Sequence, residues 1–308
     1  MRIASRGSRL ALWQAEWVRT RLAAAWPDRF FEIVRIETTG DRVLDRPLPE
    51  IGGKGLFTEA LEEALLAGDV DAAVHSLKDL PTDPPAGLKV GAVCEREDAR
   101  DAWVSTERGP RDPRSAAPGA RVGTSSERRR AQLLALRPDL RVESIRGNVE
   151  TRIRKLDEGG YDALIMAAAG LIRLGLAERI TSLLDAPDWL PAPGQGAVAV
   201  ESRADDAATD RLLRCIDDPA ARAETEAERA LLHRLQGGCQ VPVGARARLE
   251  GNELVLQALV ASRDGREAVR AEGRGEAAQA ERLGIEVAES LLDRGGEAIV
   301  ARFRGPAA

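Results

Sequence analysis

The chain has 308 residues, enough for two or three domains with cores of their own. At 44% hydrophobic and 31% charged residues, with no apolar run long enough to cross a bilayer, the composition excludes a membrane-spanning or disordered chain. A formal net charge of −5 excludes a strong global attraction to nucleic acid or anionic membrane, and Cys94, Cys215 and Cys239 supply no disulfide framework.

The N-terminal "MRIASRGSRLALWQ" enters structure-like sequence at once. It lacks the apolar core and cleavage site of a signal peptide, so a cytoplasmic protein is expected. Ser8 is placed to cap a helix whose stripe is Leu12, Ala15, Val18, Leu22 and Ala25, with Pro27 as its stop. "GLFTEALEEALLAGD" repeats the pattern, with Leu56, Phe57, Ala60, Leu61, Ala64 and Leu65 on one face and Gly68 ending it. "VDAAVHS" and "YDALIMAAA" read as short strands apolar on both sides. Such strands between amphipathic helices predict a parallel or mixed sheet covered on both faces. From about residue 243 the period changes to two, with turns at "EGN" and "RDG" and a final helix in "EAAQAERLGIEVAESLLDRGG". This predicts a separate α+β domain with a small antiparallel sheet.

Four stretches fall at strand ends or helix starts, where open α/β sheets bind ligands. "VHSLKDLP" sets Ser76, Lys78 and Asp79 directly after a strand. A carboxylate beside an ammonium can hold or donate a proton and steady a cation, although on its own the stretch reads first as a turn with a surface ion pair. "IGGKGLF" offers Lys54 and glycines to an anion, but it has neither the hydroxyl nor the upstream glycine of a Walker loop, and a plain flexible loop explains it equally. "VGTSSERRRAQ" and "SIRGNVETRIRKL" each place a strand before a polar helix start, where Thr124, Ser125 and Ser126 can cap the helix or bind an anion. Residues 128–154 hold eight arginines against three acids, a local balance of +5 in an acidic chain with only four lysines. Arginine forks match carboxylates and phosphates. Arg128, Arg129, Arg146 and Arg152 lie nearest the junctions and are the candidates, whereas Arg130, Arg137, Arg141 and Arg154 read as a solvated helix face.

Aromatic content is 3% and no aromatic side chains interleave the arginines, which favours a small polyanion over a nucleic-acid strand. No His/Cys set has metal-ligand spacing, so no metal site is expected. Cys94 and Cys215 read as small core residues. Cys239 in "LQGGCQVPVG" differs: two glycines remove steric cover, and a thiol near arginines ionises more readily. Residue logic alone leaves open whether it reacts.

Taken in order, "IASRGSRLALWQA", "GGKGLF", "AVHSLKDLP", "CEREDARDAWVS", "VGTSSERRRAQL", "IRGNVETRIRKL", "AAAGLIRLGL", "LPAPGQGAV" and "ERALLHRLQGGCQVPVGA" make a chain that closely resembles the porphobilinogen deaminase (hydroxymethylbilane synthase) family over nearly its whole length. The resemblance implies an α/β fold of two type II solute-binding-protein-like domains around a cleft, with mixed, mainly parallel sheets, plus a C-terminal α+β domain. The implied divisions are 1–95 with 197–215, then 96–196, then 216–308. It further implies a cytoplasmic, monomeric transferase that deaminates and joins four porphobilinogen molecules head to tail, with no nucleic-acid or membrane partner. By the same resemblance, a dipyrromethane cofactor is held by a thioether to Cys239, and Asp79 drives deamination and steadies the positive intermediates. Arg6, Ser8, Lys78, Thr124, Ser126, Arg128, Arg129, Arg146, Arg152 and Arg173 would bind the acetate and propionate groups. Lys54 and Phe57 would belong to a loop over the cleft, with Ser76 and Gln195 as further contributors. The chain departs from its relatives at Glu50, where some carry a lysine near the loop glycines. It departs again in the Pro-rich "RGPRDPRSAAPGAR", which leaves open the helix often found there.

Overall fold

A strand that is apolar on both faces needs cover on both, and amphipathic helices supply it here. The computed structural model describes residues 1–42, 56–236 and 241–303, so Lys54, Glu50 and Cys239 lie outside the described residues. The chain forms two compact units, 1–97 with 196–222 and 98–195 with 223–308.

In the first unit, β1 (Arg2–Ser5), β2 (Glu32–Arg35), β3 (Ala72–Ser76), β4 (Leu88–Val93) and β10 (Val198–Arg203) make one sheet in the order β2-β1-β3-β10-β4. The first three strands are parallel, and β10 runs antiparallel between β3 and β4 with Val198 opposite Ser76. The predicted first helix spans Arg9–Ala25, and the Ser8 Oγ accepts the Ala11 N–H at 3.3 Å. Its inward face is Ala11, Gln14, Ala15, Val18 and Leu22, so the stripe turns away from the predicted Ala25, which is exposed. A buried glutamine on that face is tolerated because its Nε2 donates to the Ser76 Oγ at 2.9 Å, tying the helix to the end of β3. The second predicted helix covers Glu59–Leu66 and buries Leu61 and Leu65; Gly68, at φ +77°, ends the segment as expected.

The second unit repeats the same order. Here β5 (Asp101–Ser105), β6 (Arg121–Gly123), β7 (Arg141–Glu143), β8 (Ala163–Ala167) and β9 (Ser182–Leu184) are arranged β7-β6-β8-β5-β9. β7, β6 and β8 are parallel, and β5 is antiparallel to both β8 and β9. In each sheet the antiparallel strand is the first one formed after the chain passes from the other unit's segment, at 97/98 for β5 and 195/196 for β10. No helix forms between β5 and β6: residues 106–120 run as turns, because Pro110, Pro113 and Pro118 remove backbone donors. Arg137, expected on a solvated face, instead ties this segment down by donating to the Pro113, Arg114 and Ala116 carbonyls at 2.8–3.0 Å.

The predicted antiparallel sheet is β11 (Val243–Glu250), β12 (Glu253–Ala261) and β13 (Ala268–Glu276), paired in chain order. Helix Ala280–Leu291 covers one face with Leu283, Val287 and Leu291, each worth about 1.5–3 kcal/mol of burial. On the other face, Leu259 and Ala261 pack with Ala131 and Leu190. The "RDG" turn docks closely there. Gly265 sits at φ +71°, and a Cβ on it would collide with the Ala131 carbonyl of helix Glu127–Leu136. Cys215 departs from its expected place in a core: the turn Arg214–Ile216 sends Ile216 inward and leaves Cys215 exposed, donating to the Leu212 carbonyl at 3.2 Å. Cys94 is buried as expected.

Candidate active site

Both sheets collect their chemistry at the carboxyl ends of the parallel strands, where backbone groups are released from the ladder. In the first unit β3 ends at Ser76 and runs into a single 3₁₀ turn, Leu77–Asp79. Leu77 is buried beneath the turn, and this anchor turns Lys78 and Asp79 outward, where both are exposed. Asp79 is thus a solvent-facing carboxylate on a fixed backbone. Arg6 and Ser8 follow β1 in the same unit. The Arg6 guanidinium lies 4.2 Å from the centroid of the Phe57 ring, a cation–π contact. Phe57 rests on Gly40, whose N–H donates to the Leu56 carbonyl at 2.8 Å; any Cβ at position 40 would meet the ring.

The second unit gathers the arginines. Ser126 caps helix Glu127–Leu136 by accepting the Arg129 N–H at 3.4 Å, and the Thr124 Oγ1 accepts the Ser126 N–H at 3.2 Å. This cap fixes Arg128 and Arg129 in the first turn, both nine-tenths or more buried. Asn148 caps helix Val149–Asp157 in the same way, accepting the Thr151 N–H at 2.9 Å. Beside it the Arg152 Nε donates to the Gly147 carbonyl at 2.8 Å and the Lys155 Nζ to the Arg146 carbonyl at 3.1 Å. Arg146 and Arg152 stay partly exposed, whereas Arg173 is buried in the last turn of helix Ala168–Arg173.

The feature that residue-by-residue reading missed is Asp101, fully buried at the start of β5, opposite Ala167 at the end of β8. Its Oδ2 accepts from the Arg128 Nη1 at 2.6 Å and the Trp189 Nε1 at 2.7 Å. Its Oδ1 accepts from the Arg129 Nη2 and Nε at 2.7 and 3.0 Å, and from the Gln195 Nε2 at 2.9 Å. Burial alone would raise this carboxyl; the two guanidinium charges and their hydrogen bonds overcome it and hold Asp101 far below the usual carboxylate range. Arg128 lies below its ordinary value, because burial and the like charge of Arg129 outweigh the attraction of Asp101. A signal was available: an acid opening a strand that continues Ala-Trp-Val has to meet cations inside.

Two more buried acids went unread. Glu228, on helix Pro219–Arg234, accepts the Gly194 and Ala247 backbone N–H groups at 2.7 and 2.8 Å. In the first unit the His75 Nε2 and Glu201 Oε2 stand 3.3 Å apart at the core of the sheet, with the buried Glu62 nearby. Among the described residues, no group of His, Cys, Asp and Glu side chains could hold a metal ion, and no helix is long and apolar enough to cross a membrane.

Two sheets with one shared strand order, each with an inserted antiparallel strand, define an α/β protein of the type II solute-binding-protein-like class, extended by a small antiparallel sheet. Among solved structures, the chain is similar to the periplasmic VFT2 domain of BvgS from Bordetella pertussis, with TM-score 0.42, 16% identity, and coverage of 70% of this chain and 86% of that one. It is also similar to the periplasmic aliphatic sulphonate binding protein SsuA from Escherichia coli, with TM-score 0.39, 14% identity, and coverage of 77% and 70%. The family model "Porphobilinogen deaminase, dipyromethane cofactor binding domain" matches residues 1–211, and "Porphobilinogen deaminase, C-terminal domain" matches residues 223–293. The porphobilinogen deaminase of Pelobacter propionicus is 52% identical over 301 residues, covering 97% of this chain and 96% of that protein. That of Desulforudis audaxviator is 53% identical over 305 residues, covering 99% and 98%. The chain belongs to the porphobilinogen deaminase family. It is accordingly a transferase of tetrapyrrole biosynthesis that forms hydroxymethylbilane.

Proposed function

We propose that this chain deaminates porphobilinogen through Asp79 and joins four such units on a dipyrromethane primer held by a thioether to Cys239. The observation that carries the reading is the cationic set of the second unit, in which Arg128 and Arg129 are buried with a single acid between them. Each pyrrole bears an acetate and a propionate, so the growing chain is a polyanion that needs such a set.

The described residues fit the cofactor. The Arg128 Nε is buried and has no partner among them, a donor suited to a carboxylate oxygen. Arg128, Arg129, Arg146, Arg152 and Arg173, with the hydroxyls of Thr124 and Ser126, would hold the side chains of cofactor and substrate, and Arg6, Ser8 and Lys78 would do so from the first unit. Gln195 and Ser76 act at the edges of these sets, while Lys54 and Phe57 belong to the segment that follows Gly40. When bound, the cofactor supplies the nucleophilic pyrrole carbon to which substrate is added.

Asp79 does the proton work. Loss of the amine requires a proton on nitrogen, and the pyrrole left behind carries positive charge. A carboxylic acid delivers the first and, once ionised, stabilises the second. The fixed turn beneath Asp79 keeps the same oxygen atoms available at each of the four additions. The chain would work as a cytoplasmic monomer divided at 1–95 with 197–215, 96–196 and 216–308; the separate core of its third sheet supports this division. Ammonia release by an Asp79→Asn variant tests the reading. A folded protein with release lowered by at least about 100-fold is expected, and near-normal release would remove Asp79 from this role.

A further inference from the structure

Among the described residues, the buried charges gathered at Asp101 do not balance. One carboxylate, Asp101, accepts hydrogen bonds from two guanidiniums, those of Arg128 and Arg129. A fold that needed only a buried ion pair would use one arginine, since a second buried cation without its own acid is costly. The surplus positive charge and the unpartnered Arg128 Nε both call for an anion from outside.

We propose that Asp101 is a positioning residue for polycarboxylate binding: it orients Arg128 and Arg129 so that their remaining donors meet incoming carboxylates. The inference rests on the reading of these arginines as substrate- and cofactor-binding groups. The hydrogen bonds show how the orientation is set. Asp101 takes the Nε and Nη2 edge of Arg129, while the Nη1 donates to the Ile165 carbonyl of β8 at 3.1 Å. Of the five N–H bonds of this guanidinium, one at Nη1 is left over among the described residues, on the side away from Asp101. Arg128 is pinned at its Nη1 by Asp101 and by the Leu190 carbonyl at 2.8 Å, which leaves its Nε for a ligand.

Trp189 and Gln195 complete the holder. Both reach Asp101 from the segment that leads out of this unit, and Gln195 also accepts from the Arg129 Nη2 at 3.3 Å. Asp101 thereby couples strand β5, the start of helix Glu127–Leu136 and the 189–195 segment into one rigid frame. Such pre-set donors bind an anion without being reorganised when it arrives.

The test compares Asp101→Asn, Trp189→Phe and Arg129→Gln with the parent holoenzyme. It measures KM and kcat for porphobilinogen, thermal melting, and the intact mass that reports the cofactor adduct. Trp189→Phe removes one hydrogen bond to Asp101 and keeps the ring, so it stays informative even where Asp101→Asn fails to fold. It is expected to raise KM on the order of threefold to tenfold, the equivalent of about one net hydrogen bond, with kcat little changed. Asp101→Asn is expected to raise KM at least tenfold or to yield folded protein without the adduct mass. Lower melting temperatures with unchanged KM and intact adduct in the Asp101 and Trp189 variants, while Arg129→Gln raises KM, would overturn the positioning role and leave the arginine reading standing. Unchanged KM in all three would overturn both.

Discussion

Glu228 accepts the Gly194 N–H at 2.7 Å, and the next residue, Gln195, donates to Asp101. A helix that leads toward Cys239 therefore fixes the segment that closes the arginine frame. Both oxygens of this fully buried carboxylate are used, because the Ala247 N–H takes the other.

Glu228→Gln is expected to destabilise the protein by about 2–3 kcal/mol, because an amide NH₂ would then face a backbone N–H that has lost its acceptor. The urea midpoint at constant m-value reads this directly. An unchanged midpoint would mean that the Gly194 segment is held by other contacts.

Gly265→Ala should cost about 1–3 kcal/mol, since the residue must keep φ +71° while its new methyl pushes against the Ala131 carbonyl. Thermal melting checks it. The strain falls on helix Glu127–Leu136, whose first turn carries Arg128 and Arg129, so the loss of stability is expected to come with weaker substrate binding.

Glu62 gives a pH-dependent prediction. Burial raises its carboxyl above the ordinary value, and the like charges of Glu201 and Glu59 add to the shift while Thr58 and His75 oppose it. A carboxyl raised in the folded state contributes fully below its unfolded pKa, and that contribution is lost as pH rises through the folded value. Glu62→Gln removes the cost of ionisation. It should melt higher than the parent at about pH 8 and show no such gain at about pH 4. A gain of equal size at both values would show that ionisation of Glu62 carries no penalty in the fold.

Much of the frame was legible in the sequence because it is encoded locally. The apolar runs at Ala72–Ser76 and Ala163–Ala167 are strands, Ser8 and Ser126 cap helices, and the period of two after residue 243 is an antiparallel sheet. Asp101 was not legible, since its partners lie 27 to 94 residues away and no short window contains them. Glu228 sits in an ordinary-looking helix for the same reason. Gln14 broke the predicted stripe because its partner, Ser76, is supplied by a strand end far along the chain. Cys215 was expected in a core because that is the usual place of a free thiol, but the three-residue turn Arg214–Ile216 sends Ile216 inward and leaves Cys215 exposed.

The central claim concerns what Cys239 holds, and the intact mass of the purified active protein, followed by peptide mapping, tests it most directly. A dipyrromethane adduct on the peptide that contains Cys239 is the predicted result. Active protein with an unmodified Cys239 would contradict the account.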